Sequence, residues 1–492
     1  MARFFLLFCA AVFLLNFFAL DVHSEVPQYE KLPDQDIRPL AYDIKLLPWM
    51  DTKDWLLEGE TKIIFSSENG ASVLSFHFHH WPPLYFEIVF DDLDHNVTIQ
   101  SVTFNDTTDQ VKVQLGEELQ AGGTYEMYVK YEFIMTEEPS GQGIFKREYQ
   151  EFGETRENTP GWLWATYATT QLMSTYLVAI VIGKFSVLYE PSIVPVFAFA
   201  LPSRIEEASV AVQSSAFILE YFGNTWLNFS YSFPEMSVVP IESHPFGAME
   251  NWGLVQFNPS LFYYLEGRDL IAQEKSVIRV VSHELAHQWF GNLVTMDWWS
   301  QLWLNEGAAS FYQYFGADAY DPEGKWMDRR AVLGVQPGYY TDAFTTALPI
   351  SQEVYDGSFE FAQGSIIYRK GCAIHTLLLN ILGNAYFEGT TQYFKDYGYE
   401  NTRNADFLNA LQQAADEESL NLPTELSYIM EGYLYRSGVP LVRVTRSYED
   451  LQESVYFRQE RFLLDGDDDD GSRYFIPFRY ITSGRSEESE IS

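Results

Sequence analysis

Residues 281–291 read VSHELAHQWFG, and eighteen residues separate the second histidine from the glutamate of LNEG at 304–307. Apolar residues recur at helical spacing through 269–292 and again through 304–316, which predicts two long helices joined by a connection. On a helix, residues four apart project from one face, so His283 and His287 can offer both imidazoles to a single ion. Zinc favours such nitrogen donors, and a catalytic site needs three protein ligands with a position left for water. Glu306, in the second helix, supplies the third ligand for one Zn2+ per chain. Glu284 points sideways toward the water and has the place of a general base. Two histidines on an apolar segment can equally be core packing, and HExxH alone is a weak signal. The glutamate at this spacing, with Gly307 behind it, turns the reading to a metal.

Around this centre, the 492 residues are too many for one ordinary core and suggest two to four domains. Apolar residues make up 47% and aromatics 17%, enough to fill those cores, so the chain is globular. Against 69 acidic residues stand 31 Lys and Arg, a formal charge of −38 that repels phosphate and argues against a nucleic-acid partner. The run Asp467–Asp470 reads as an exposed acidic loop.

The N-terminus has Arg3, an apolar run from Phe4 to Leu20, and a polar exit with Val22 and Ser24 placed for cleavage. That is the pattern of a secretory signal peptide, with an uncleaved anchor as the alternative. Sequons at Asn96, Asn105 and Asn228 suit a glycoprotein on that route. Cys9 would leave with the signal, and Cys372, in the apolar segment CAIHTLLLNIL, reads as a buried inert thiol.

Short alternating segments from Tyr29 to about Phe133 indicate an antiparallel β domain. Helical periodicity follows at 203–222, 269–292, 304–316, 365–382 and 404–415, and the last segment returns to alternation. The expected fold is therefore multidomain α+β. Its parts are a signal peptide (1–24), an antiparallel β domain (25–194), a mainly helical catalytic domain (195–437) and the start of another β domain (438–492).

Upstream of the histidines lies SHPFGAMENWGL, residues 243–254, in which Gly247 and Gly253 bracket a short segment centred on Glu250. Alone it could be an edge strand and a turn with a solvated carboxylate. Paired with HExxH-x18-E it resembles the aminopeptidase N family of gluzincin zinc metallopeptidases. The likeness is strongest from about Trp164 to Val439, including MSTYLVA at 173–179. The resemblance implies a thermolysin-like catalytic domain and a partial β-sandwich after it. It makes His283, His287 and Glu306 the zinc ligands and Glu284 the general base. Glu250, with Gly247, Ala248, Met249 and Asn251 around it, would bind a substrate through its free α-amino group. Tyr368, in IIYRKG, matches the family's oxyanion-stabilising tyrosine. The expected activity is removal of single N-terminal residues from peptides, outside the cell or at its outer face, and membrane attachment in a full-length form stays open.

The chain also departs from the family. Family members are nearly twice as long, and a block with TQF–PTDAR and CFDEP segments has no counterpart between FKREYQEFGETRENTPGWLWATYATT and QLMSTYLVA. LVQFNPSLFYY lacks the usual Tyr-Arg-Glu. Both features suggest a C-terminal truncation and an internal deletion in the N-terminal domain. Two other functions stay open at this point: a catalytically impaired binding homologue at the cell surface, and a thermolysin-type zinc endopeptidase.

Overall fold

The computed structural model describes residues 6–7, 32, 37–49, 55–78, 84–90, 97–105, 110–135, 167–226, 229–354, 364, 366–447, 454–466 and 471–478. The signal segment apart from 6–7, the sequons at Asn96 and Asn228, and the acidic run 467–470 lie outside them. The described residues from 32 to 135 form one compact unit and those from 167 onward another.

The first unit is the expected antiparallel β domain. Its strands are Ile37–Trp49 (β1), Leu56–Ser67 (β2), Val73–His77 (β3), Tyr85–Phe90 (β4), Ile99–Asn105 (β5), Gln110–Leu115 (β6) and Gly123–Ile134 (β7). They make a four-stranded sheet in the order β1-β2-β7-β4 and a three-stranded sheet in the order β3-β6-β5. Alternation sends Val111, Val113 and Leu115 of β6, and Tyr125, Met127 and Val129 of β7, into one core with Phe65 and Leu74.

The second unit begins with a five-stranded mixed sheet: Ser186–Glu190 (β8), Val196–Ala200 (β9), Met236–Pro240 (β10), Ala248–Met249 (β11) and Leu254–Phe257 (β12), in the order β8-β9-β10-β12-β11. β10 runs parallel to both β9 and β12. β11 is antiparallel to β12, with Ala248 opposite Phe257 and Met249 opposite Gln256, and it forms the sheet's outer edge. A helical reading misses this sheet because its central strand is buried along its whole length and shows no alternation. The β8–β9 hairpin runs across residue 194, the expected end of the β domain.

The described helices of ten or more residues are Ser209–Tyr221 (α1), Ile271–Ala286 (α2), Trp303–Tyr320 (α3), Gly371–Leu382 (α4), Ala385–Tyr397 (α5), Asn404–Glu417 (α6) and Leu426–Tyr435 (α7). Apolar periodicity does not reveal α5 and α7. α2 has Glu274 in its first turn, where an acid favours the helix dipole. Past its C-terminus, Gly291 adopts φ +121, a conformation side chains rarely take, so the backbone turns away just beyond His287. α3 is buried at every position from Trp303 to Ala317, the mark of a helix running through a core. Val439–Arg446 (β13) and Val455–Phe462 (β14) pair antiparallel as the last described strands. Among the described residues no helix is long and apolar enough to cross a membrane.

Candidate metal centre

α2 and α3 pack side by side, and the packing brings three side chains to one point. Nε2 of His283 and Nε2 of His287 are 3.1 Å apart, and Oε2 of Glu306 lies 3.3 Å from the first and 3.2 Å from the second. Donors on a tetrahedral ion with bonds of about 2.0 Å stand about 3.3 Å from one another. The triangle of donor atoms therefore fits such an ion without rearrangement. The His287 ring orientation also fits: the Phe290 carbonyl, 2.9 Å from Nδ1, can only accept, so Nδ1 carries a proton and Nε2 is the nitrogen that would give its lone pair to an ion.

Electrostatics lead to the same conclusion. Glu250, Glu284 and Glu306 are all buried around two imidazoles. Burial raises the carboxyl of Glu284 well above its ordinary range and raises that of Glu250 as well. Burial also lowers His283 to about 4. In His287 burial is outweighed by Glu250 and Glu306, which push it up to about 10. Glu306 is held low in spite of burial, mainly by His287. Without an ion these groups offset one another by holding protons, and a bound cation would take the place of those protons among the three carboxyls.

The other residues singled out in the sequence converge on this point to different degrees. Glu250 follows β11 directly and its Oε1 is 4.0 Å from Nδ1 of His287. The segment after the histidines holds it there, since Gln288 Nε2 and Asn292 Nδ2 donate to the Glu250 carbonyl at 3.2 and 2.9 Å. Gly247 is exposed, and Ala248 and Met249 are half-buried along the free edge of the sheet. Asn251 turns its amide inward, donating to the Leu177 carbonyl at 3.2 Å and accepting from Gln256 at 3.0 Å. Glu284 Oε2 has no hydrogen-bond partner among the described residues. The Tyr368 ring stacks on His283 with centroids 5.9 Å apart and planes at 20°. The tyrosine is 38% exposed. Burial first, then Glu306, Glu250 and Glu284, raise its phenol well above the ordinary range, so Tyr368 is a hydrogen-bond donor at neutral pH.

Tyr176 escaped the sequence reading as an individual residue. Its hydroxyl donates to the Gly291 carbonyl and accepts from Asn305 Nδ2, both at 3.2 Å, while Leu177 holds Asn251. A single short turn, Thr175–Leu177, thus ties the end of α2, the start of α3 and the segment of Glu250 together. MSTYLVA carried the signal for it, but a three-residue turn has no periodicity to read.

Over 349 residues the chain is 32% identical to aminopeptidase N of Rattus norvegicus, covering 68% of this chain and 35% of that one. Against aminopeptidase N of Homo sapiens the identity is 30% over 344 residues, covering 67% and 35%. Glutamyl aminopeptidase of Bitis rhinoceros is 31% identical over 310 residues, covering 62% and 31%. The chain thus spans about a third of the length of these curated relatives. Residues 210–433 match the Peptidase family M1 domain. That span contains the candidate metal triad, the edge strand with Glu250, and Tyr368, and with these relatives it shows that the chain belongs to peptidase family M1, the aminopeptidase N family.

Proposed function

We propose that this chain is a zinc metallo-aminopeptidase that removes single N-terminal residues from peptides outside the cell. The observation that carries the reading is the carboxyl of Glu250, buried 4.0 Å from His287 of the candidate metal triad, at the end of a sheet's edge strand. An ammonium group paired with it brings a peptide's first residue, and no other, to the reactive point.

His283, His287 and Glu306 would hold the zinc, whose Lewis acidity supports both the attacking water and the scissile carbonyl. Glu284, sealed from solvent with Oε2 unengaged, takes the proton from that water and passes it to the departing amine. Tyr368 donates its phenolic hydrogen to the oxygen that gains charge. Ala248 and Met249 offer backbone groups to the substrate as an added strand. The names of the relatives, aminopeptidase N and glutamyl aminopeptidase, support a peptide substrate with a free amine.

The test compares a free-amine peptide with its N-acetylated form, for the native chain and for Glu250→Ala. Loss of a buried charge-assisted contact costs about 2–5 kcal/mol, which should appear in kcat/KM for the free amine and barely for the blocked peptide. Equal losses would remove Glu250 from amine recognition. Preference for the blocked peptide by the native chain would favour an endopeptidase.

A further inference from the structure

The turn that carries Tyr368 ends in an ion pair from which water is excluded. Nζ of Lys370 lies 2.7 Å from Oδ2 of Asp342, and the side chains are 2% and 0% exposed. Lys370 also donates to the Arg436 carbonyl at 3.1 Å, and Asp342 Oδ1 accepts from the Gly438 amide at 2.7 Å. Three segments meet there: the end of the helix Gln336–Asp342, the single turn of π-helix Ile366–Lys370, and the joint between α7 and β13. Removing two charges from water is unfavourable, and an apolar pair of similar volume often stabilises a fold as well or better. Stability alone is thus a weak reason for this pair.

Position gives a stronger one. Tyr368 and Lys370 are two residues apart on a helical turn, so their side chains leave it on roughly opposite sides. The exposures agree, since the tyrosine is partly open to solvent and the lysine is buried. A π turn differs from an α turn by a one-residue slip, and such turns recur at functional sites. An apolar contact tolerates that slip. An ammonium set between a carboxylate and a carbonyl does not. The backbone is also hemmed in behind the turn, where a Cβ on Gly338 would come within 2.7 Å of the carbonyl carbon of Arg369.

We propose that the Lys370–Asp342 pair is a positioning device for Tyr368, fixing the turn so that the phenol stands over His283 and tying that placement to the Arg436–Gly438 joint. The proposal rests on the role given to Tyr368 above. Lys370 and Asp342 touch no reacting atom and act through the tyrosine alone. Any displacement of the β13–β14 hairpin at this joint is then felt at the reactive centre.

The test replaces both charges, Lys370→Met with Asp342→Leu, so that no lone charge is left buried. Asp342→Asn serves as a milder variant that keeps the shape. Misplacing a catalytic group by about 1 Å costs about 100-fold. The expected result is a kcat lower by about 10- to 100-fold for the pair replacement, smaller for Asp342→Asn, with KM and bound zinc little changed. In a Tyr368→Phe background the same replacement should alter kcat by less than about twofold, because the residue through which it acts is already disarmed. Equal losses in both backgrounds would overturn the proposal. A crystal structure of the pair replacement decides the matter independently of activity. A Tyr368 ring displaced from His283 supports the clamp, and a ring still stacked on it refutes it. If the native chain with zinc hydrolyses no aminoacyl substrate, the function proposed above fails, while the structure of the variant still decides the clamp.

Discussion

Substituting Gly307 by alanine should damage both stability and catalysis, for a reason visible in how α3 meets α4. A Cβ on Gly307 would lie 2.8 Å from the Cα of Gly371 and 3.2 Å from its carbonyl carbon, where ordinary contact begins at 3.4 Å. Both atoms are backbone, so no side chain can rotate away, and the helices must part by about 0.6 Å at this point. Alanine gains up to about 1 kcal/mol of helix propensity over glycine. Forcing extra volume into a packed contact costs about 1–3 kcal/mol, and a contact that cannot yield belongs at the upper end. The net expectation is a loss of about 1–2 kcal/mol in urea unfolding. Gly307 follows the ligand Glu306 and Gly371 follows the turn of Tyr368, so the same shift pulls these two groups apart. A displacement approaching 1 Å predicts a kcat at least about tenfold lower. A variant as stable as the native chain with unchanged kcat would show that the two helices have slack where the structure shows none.

Three further outcomes are expected. Glu284→Gln should retain zinc, because its three ligands are untouched, while turnover falls by about 10²–10⁴-fold; near-normal turnover with stoichiometric zinc would remove Glu284 from the mechanism. Stripping the metal with a chelator should lower Tm and restoring zinc should reverse it, since an ion present at about 1,000 times its Kd adds about 4 kcal/mol to the folded state; an unchanged Tm would mean that no ion is held at this centre. Cys372 is fully buried and burial pushes its thiol up to about 12, so iodoacetamide at pH 8 should leave it unmodified until the chain unfolds, and rapid labelling of the native protein, located by peptide mapping, would contradict the packing around it.

The grouping of His283, His287 and Glu306 could be read from the sequence because each part has a short-range signature. A four-residue interval on an apolar helix places His283 and His287, and the next apolar helix places Glu306. The antiparallel strands of the first unit were legible for the same reason, since Val111, Val113 and Leu115 alternate with outward-facing neighbours. The parts that stayed hidden depend on contacts between distant segments. The strand Met236–Pro240 is buried on both faces, so it carries no alternation and nothing marks it as the centre of a sheet. Tyr176 bonds to Gly291 and Asn305, more than a hundred residues away, from a turn too short for any pattern. Tyr368 entered only through family resemblance, and its stacking on His283 depends on a turn of π-helix that apolar spacing does not distinguish from an α-helix. Lys370 and Asp342 each look like solvated surface residues in the sequence, and only the fold buries them together.

The outer strand Ala248–Met249 pairs over two residues and then gives way to Glu250. A guest lying along an edge that short would be held by this strand for the length of a dipeptide. On the proposed chemistry this strand would meet a tripeptide and a hundred-residue chain alike. Peptides whose first residues are folded away, cyclised or acylated would then persist, and those with a loose free end would be shortened. The pool left behind would be sorted by the accessibility of its termini.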